Sequence, residues 1–225
     1  MRYALTTEQD AIVAFKTNNL PHAFELSKKC IEKGVKSENV WVILSEAEFM
    51  LGDPNYAFSI CLKLAHQKPS IQHTLRLTKW FLKTFDGFDQ SNGKFIKNQY
   101  NHKECKIILD TIATSMEFSS KSASEGCIAE SIINAGSIGY LIDQTPYQHY
   151  PSFAKRIIKA IPFSRSDIPS ICLKYFTQRE VRMVSYFLAA AGYYSNAKAL
   201  IEKVSAPTKL KPIVDQIEKE LSPKT

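Results

Sequence analysis

The chain has 225 residues, of which 44% are hydrophobic and 23% charged, and its net charge is +7 at pH 7. Eight glycines and ten prolines are too few for a fibrous or disordered chain, so the composition predicts a folded protein with a buried core. No apolar run approaches the roughly 18 residues of a membrane span, and the first residues lack the apolar core of a signal peptide. We therefore expect a cytoplasmic protein without a membrane span.

Apolar residues recur at helical spacing along most of the chain, and no stretch alternates strictly as a half-buried strand would. The segments 6–10 and 177–180 each place a threonine before an acidic residue, the pattern of a helix N-terminus. Gly34, Gly52 and Gly192 fall where the apolar period pauses, which is typical of helix ends. The pattern predicts an all-α fold.

An offset of 34 residues aligns the first part of the chain with itself, and 34 is the period of a known helix-hairpin repeat. Ala23 then falls on Ala57, and Ser27 falls on Cys61. Small residues at such positions let two antiparallel helices approach closely across a short turn.

Residues 38–71 resemble the tetratricopeptide repeat (TPR). The residues that carry the resemblance are Trp41, Leu44, Ser45, Gly52, Asp53, Ala57 and Pro69. A degenerate copy covers 4–37, a partial copy 72–116, and a late copy 178–211. One departure is Glu48, which stands where the family usually has a tyrosine.

The resemblance implies αα-hairpins that stack into one TPR-like α-solenoid domain over 1–225, with an irregular helical segment at 117–177. The alternative is a set of generic αα-hairpins with a coincidental spacing. Whether residues 93–177 continue the solenoid or form a separate bundle stays open.

The middle of the chain carries helical patterns separated by turn-rich segments. A polar loop is predicted at 86–93 and a small-residue break at 119–124. Helical segments are predicted at 75–85, 103–116, 125–143, 152–161 and 167–176. In the third of these, small and apolar residues would form one close-packing stripe: Ala129, Ile132, Ile133, Gly136 and Gly139.

No phosphate-loop, dinucleotide-binding, zinc-protease or serine-hydrolase motif occurs in the chain. His102 and Cys105 share a helix face, but two ligands do not make a zinc site. His66 and His73 flank a predicted turn and are interpreted as surface residues. We expect no enzymatic activity, no metal and no cofactor.

The cysteines are odd in number and widely spaced, which argues against a disulfide framework. We interpret all of them as reduced core residues. They are Cys30, Cys61, Cys105, Cys127 and Cys172.

In the repeat family the first helix of each hairpin lines a concave face that mainly binds protein segments. The resemblance therefore implies a scaffold, adaptor or chaperone with a protein or peptide partner. By alignment, the groove residues of the first copy are Glu8, Ile12, Phe15 and Lys16. Those of the second are Asn39, Val42, Glu46, Phe49 and Met50, and those of the late copy are Arg179, Arg182 and Tyr186.

Two readings compete with ligand contact at these positions. Family members that bind C-terminal carboxylates use Lys and Asn there, whereas this chain has residues such as Glu8 and Glu46, which argues against that role. For Ile12, Phe15 and Phe49, packing between neighbouring hairpins is the alternative to ligand contact.

Two other classes of function remain open. Basic residues cluster at 94–106 and 155–182 beside aromatic residues, an arrangement that can bind single-stranded nucleic acid. No nucleic-acid-binding motif accompanies them, so we expect this function less. The third class is a helical subunit of a larger assembly.

Overall fold

The computed structural model describes residues 7–83, 88–89, 94–95, 102–142, 150–164, 166–175, 177–203 and 219. In this part of the chain nearly all regular structure is α-helix, which confirms the all-α class. In chain order the helices are α1 (Glu8–Lys16), α2 (Leu20–Glu32), α3 (Glu38–Leu51), α4 (Pro54–Gln67), α5 (Ile71–Lys83), α6 (His102–Ser119), α7 (Glu125–Ile142), α8 (Tyr150–Ala160), α9 (Ile168–Tyr175), α10 (Gln178–Ala190) and α11 (Tyr194–Ile201).

The helices begin and end where the capping residues predicted. The Thr7 hydroxyl accepts a hydrogen bond from the Asp10 amide at 3.2 Å, and the Asp10 carboxylate accepts one from the Thr7 amide at 2.9 Å. At the start of α10, Glu180 accepts from the Thr177 amide at 2.8 Å. Gly192 has a positive φ of 87° just after α10, a conformation that favours glycine.

The internal contacts divide the chain into two compact units, Met1–Lys68 and Pro69–Thr225, here called the N-terminal and C-terminal units. The N-terminal unit holds α1 to α4. Each of these helices packs against the next one, and α1 also packs against α3. The single domain predicted over 1–225 stays a prediction.

The helix spacing of the N-terminal unit follows the predicted repeat. α4 begins 34 residues after α2, at Pro54 against Leu20. The aligned pairs have matching burial, since Ala23 and Ala57 are both fully buried. In the C-terminal unit, α11 begins 16 residues after α10, the offset that also separates α4 from α3.

The C-terminal unit is organised around α7, which packs against α5, α8, α9 and α10. Two glycines allow this close packing, because a Cβ on Gly136 would overlap the main chain of Met183 in α10, and one on Gly139 would overlap the Tyr150 ring. The predicted stripe of α7 is therefore the buried face of this helix, as Ala129 and its neighbours confirm.

Three local predictions were wrong. The segment predicted as a polar loop contributes a two-residue antiparallel ladder, in which Phe88 pairs with Phe95; strands this short leave no periodic signal. His73 is buried on α5 and not at the surface, because the apolar face of that helix includes it. Cys127 is half-buried, whereas the other four cysteines are buried as predicted.

Candidate functional site

The predicted groove residues lie in both units. Those of the first two copies are on α1 and α3 of the N-terminal unit, and those of the late copy are on α10 of the C-terminal unit. The residues of α1 and α3 lie on adjacent helices that contact each other. We call the surface made by the nine predicted residues of these two helices the α1–α3 face.

On α3, the predicted positions form the arc of the helix that the hairpin core leaves uncovered. Val42, Glu46 and Phe49 are half-buried, while Asn39 and Met50 are exposed, Met50 to 61%. The rest of the helix surface is largely buried and includes Val40, Ile43, Leu44 and Ala47. The α3 part of the face is therefore apolar and accessible along the length of the helix.

On α1, the predicted residues border the core. Ile12 and Phe15 pack against the cluster that contains Ala11 and Ile43, and both are only half-buried. Each side chain thus contributes to packing on one side and to the surface on the other. Packing and ligand contact, the two readings of the sequence, are compatible at these positions.

A carboxylate bridges the beginnings of α1 and α3. Glu8 Oε1 accepts hydrogen bonds from Ser37 Oγ at 2.6 Å and from Asn39 Nδ2 at 2.9 Å. The bonds from Ser37 and Asn39, in that order, lower the pKa of the Glu8 carboxyl below its usual value. Sequence reasoning missed Ser37, whose place before α3 suggests only an N-cap; no cap bond from its side chain is formed.

Glu48, the departure from the repeat family, has a structural role at the α3–α4 turn. Its buried side chain accepts a hydrogen bond from the Asp53 amide at 3.1 Å and lies 3.8 Å from Lys28 Nζ. A Cβ on Gly52 would overlap its carboxylate, so glycine is required there by close approach. Glu48 therefore stabilises the hairpin and does not belong to the α1–α3 face.

The late-copy residues sit in a different environment. Tyr186 is half-buried and its ring lies 5.7 Å from the ring of Tyr150, whose hydroxyl donates to the Ala135 carbonyl at 2.8 Å. Arg182 is also half-buried, and the side chain of Arg179 lies outside the described residues. Tyr186 thus takes part in packing between α8 and α10.

The second basic segment is partly neutralised. Arg156 donates to both Glu117 oxygens, at 2.9 and 3.0 Å, and to Asp110 at 3.2 Å. These carboxylates raise the pKa of the guanidinium, so its charge stays paired with them. Lys174 pairs in the same way with Glu125 at 2.8 Å.

Sequence reasoning also missed an exposed apolar pair on α6. Ile107 is 52% exposed and Phe118 is 73% exposed. The sequence places Ile107 with Ile108 and Ile112 on an apolar helix face, but the structure buries only the latter two. The apolar period of α6 is broad enough that its spacing does not show which edge is covered.

The cysteines and acidic residues offer no assembled reactive group in the part of the chain that the structure describes. No set of three or more His, Cys, Asp or Glu side chains there is placed to hold a metal ion. Burial raises the pKa of the Cys172 thiol to about 12, which keeps it protonated. None of the described helices is long and apolar enough to cross a membrane.

Comparisons with other proteins leave these observations to stand by themselves. No protein family matches the chain, and neither does any curated protein or any solved structure.

Proposed function

We propose that this chain is a cytoplasmic, TPR-like helical-repeat protein that binds a segment of a partner protein on the α1–α3 face and acts as a scaffold, adaptor or chaperone without catalysing a reaction. The observation that carries the proposal is the continuous apolar arc that two adjacent helices leave accessible, with Phe49 half-buried and Met50 exposed.

The repeat assignment is supported by three agreements within the N-terminal unit. The second helices begin 34 residues apart, the aligned small residues are equally buried, and α1 contacts α3 as successive first helices of stacked hairpins do. The third of these sets α1 and α3 side by side, so one ligand segment can contact both.

The composition of the face suits protein recognition. Phe49 supplies a large apolar surface that is already partly ordered by packing, and Met50 supplies a flexible side chain that adapts to its partner. Side chains anchored in the core lose little conformational entropy on binding, which favours affinity. A partner segment that covers them removes apolar surface from water.

Selection of binders from a displayed library of random 16-residue peptides tests this proposal. Selected peptides are then titrated with the full chain and with its Phe49→Ala and Val13→Ala variants, by fluorescence anisotropy. We expect Phe49→Ala to weaken binding by about tenfold or more, as truncation of a central apolar contact does.

Val13→Ala is the matched control, because Val13 is 50% exposed on α1 but lies outside the predicted arc. Its affinity should stay within about twofold of the wild type. Selections that yield no peptide, or peptides that bind the Phe49→Ala variant as well as the wild type, would contradict the proposal.

Nucleic-acid binding is less well supported by the arrangement of charges. The pairs of Arg156 with Glu117 and of Lys106 with Asp110 place acidic groups among the basic ones, which lowers the local positive potential that phosphates need. The side chains of Lys94 and Phe95 lie outside the described residues.

A further inference from the structure

Charge is distributed unequally between the two helix rows of the N-terminal unit. On α1 and α3 the charged side chains are Glu8, Asp10, Lys16, Glu38, Glu46 and Glu48. Two of these carboxylates are paired with lysines from the other row or its end, since Glu48 lies near Lys28 and Glu38 lies 3.3 Å from Lys68. The lysines therefore compensate the flank and leave the α1–α3 face acidic.

Glu8 is held so that its charge is available to a partner. Among the described residues, its donors Ser37 and Asn39 are neutral, and both reach the same oxygen, Oε1. The second oxygen can accept from a ligand without breaking either bond. The two bonds also fix the carboxylate, so little side-chain entropy remains to be lost when a cation binds.

The face is polar at one end and apolar at the other. Glu8 and Asn39 begin their helices, whereas Phe15, Phe49 and Met50 lie near the helix ends. Glu8 and Phe15 are seven residues apart, which in a helix is about 10 Å along the axis. A partner helix lying along the face crosses the same distance in two of its own turns.

We infer that the α1–α3 face takes an amphipathic partner helix with a basic residue, placed against Glu8, about seven positions from the apolar residue that covers Phe15 and Phe49. This inference rests on the proposed function and specifies its partner class. Arginine suits the site best, since its planar guanidinium can donate to the open Glu8 oxygen while its stem lies on apolar surface. Glu46 adds a second carboxylate within the same arc.

A pair of synthetic peptides tests this inference. The first is an 18-residue helical peptide of Leu, Ala and Gln with one Phe and, seven positions away, one Arg, prepared with the two in either order. The second has Gln for that Arg. Both are titrated with the full-length wild type and with Glu8→Gln, Phe49→Ala and Glu25→Gln variants by fluorescence anisotropy at low and high salt.

We expect the wild type to bind one order of the Arg peptide about tenfold tighter than its Gln counterpart, the size of a charge-assisted hydrogen bond. Glu8→Gln should remove most of this preference, while Glu25→Gln, which changes an exposed carboxylate on α2, should keep it. The preference should shrink as salt screens the pair.

The outcomes separate the two proposals. Equal affinity for the Arg and Gln peptides, with both weakened by Phe49→Ala, would leave the proposed function intact and overturn the inferred partner class. A preference for Arg that survives Glu8→Gln would overturn it as well. If neither peptide binds, the inference is wrong and the library selection alone decides the function.

Discussion

At the scale of single residues, the two hairpins of the N-terminal unit differ in how they satisfy one buried position. Ser27 and Cys61 are equivalent in the 34-residue alignment, and both are buried. Cys61 Sγ lies 3.8 Å from Ser45 Oγ, to which it can donate, whereas the Ser27 hydroxyl has no partner among the described residues. A buried hydroxyl without a partner costs stability.

Replacement of Ser27 by alanine should therefore raise the free energy of unfolding by about 1 kcal/mol, because it removes an unsatisfied hydroxyl and improves helix propensity. Urea denaturation followed by circular dichroism measures it. The control is Ser45→Ala, which gains the same propensity but loses a hydroxyl bonded to the Val42 carbonyl at 2.7 Å. Equal effects of the two substitutions would contradict the assignment.

The pKa of Glu8 gives a second prediction at this scale. Because hydrogen bonds from Ser37 and Asn39 lower that pKa in the folded state, their contribution is fully present above the ordinary value of 4.5 and is lost as the pH falls through the lowered one. A carboxyl-carbon NMR titration should show Glu8 still ionised at pH 4.5.

In the same titration, Ser37→Ala should raise the pKa of Glu8 more than Asn39→Ala does, since the bond from Ser37 is the larger cause. A wild-type Glu8 that titrates at or above 4.5 would show that the bridge between α1 and α3 is absent in solution.

At the scale of elements, the sequence predicted helices well and their surroundings less well. Capping residues and apolar periods gave α7 almost to the residue, because these signals are local. They missed the ladder at Phe88–Asp89 and the exposure of Ile107. Both depend on which distant segment lies opposite, information that a period of 3.6 residues does not contain.

The packing of α7 provides a paired test. Gly136→Ala should lower the free energy of unfolding by about 2 kcal/mol or more, because the new methyl group would overlap the Met183 main chain. Gly126→Ala in the same helix meets only the Tyr175 ring at 3.7 Å and should raise stability by about 0.5 kcal/mol through helix propensity. Thermal or urea unfolding of both variants decides, and destabilisation by both to the same extent would contradict the predicted α7–α10 contact.

At the scale of the whole molecule, the groove prediction was limited by what a repeat alignment can give. It located the accessible arc of α3 correctly in terms of exposure, since repeat positions map onto helix faces. It could not foresee that Tyr186 packs beside Tyr150, or that Arg156 is paired with Glu117, because each partner is about 40 residues away in sequence. Charge blocks counted along the chain therefore overstate the basic surface.

The division into two units predicts that they respond separately to a core substitution. Leu44→Ala should cost about 2–5 kcal/mol of stability in the N-terminal unit, where Leu44 packs with Ile60 and Leu64. Native-state hydrogen exchange should then become faster in α1 to α4 and stay nearly unchanged in α5 to α7. Equal acceleration in all these helices would show that the chain opens as one cooperative unit.

The central claim is that a partner segment binds the α1–α3 face, and methyl NMR of the methionines tests it most directly. The chain has four methionines; Met50 is on the face, while Met116 and Met183 are in the C-terminal unit, Met183 on α10 beside Arg182. The Met50 signal is assigned with Met50→Leu. On titration with a library-selected peptide, the account predicts a shift of Met50 with Met116 and Met183 unmoved, whereas a shift of Met183 with Met50 unmoved would contradict it.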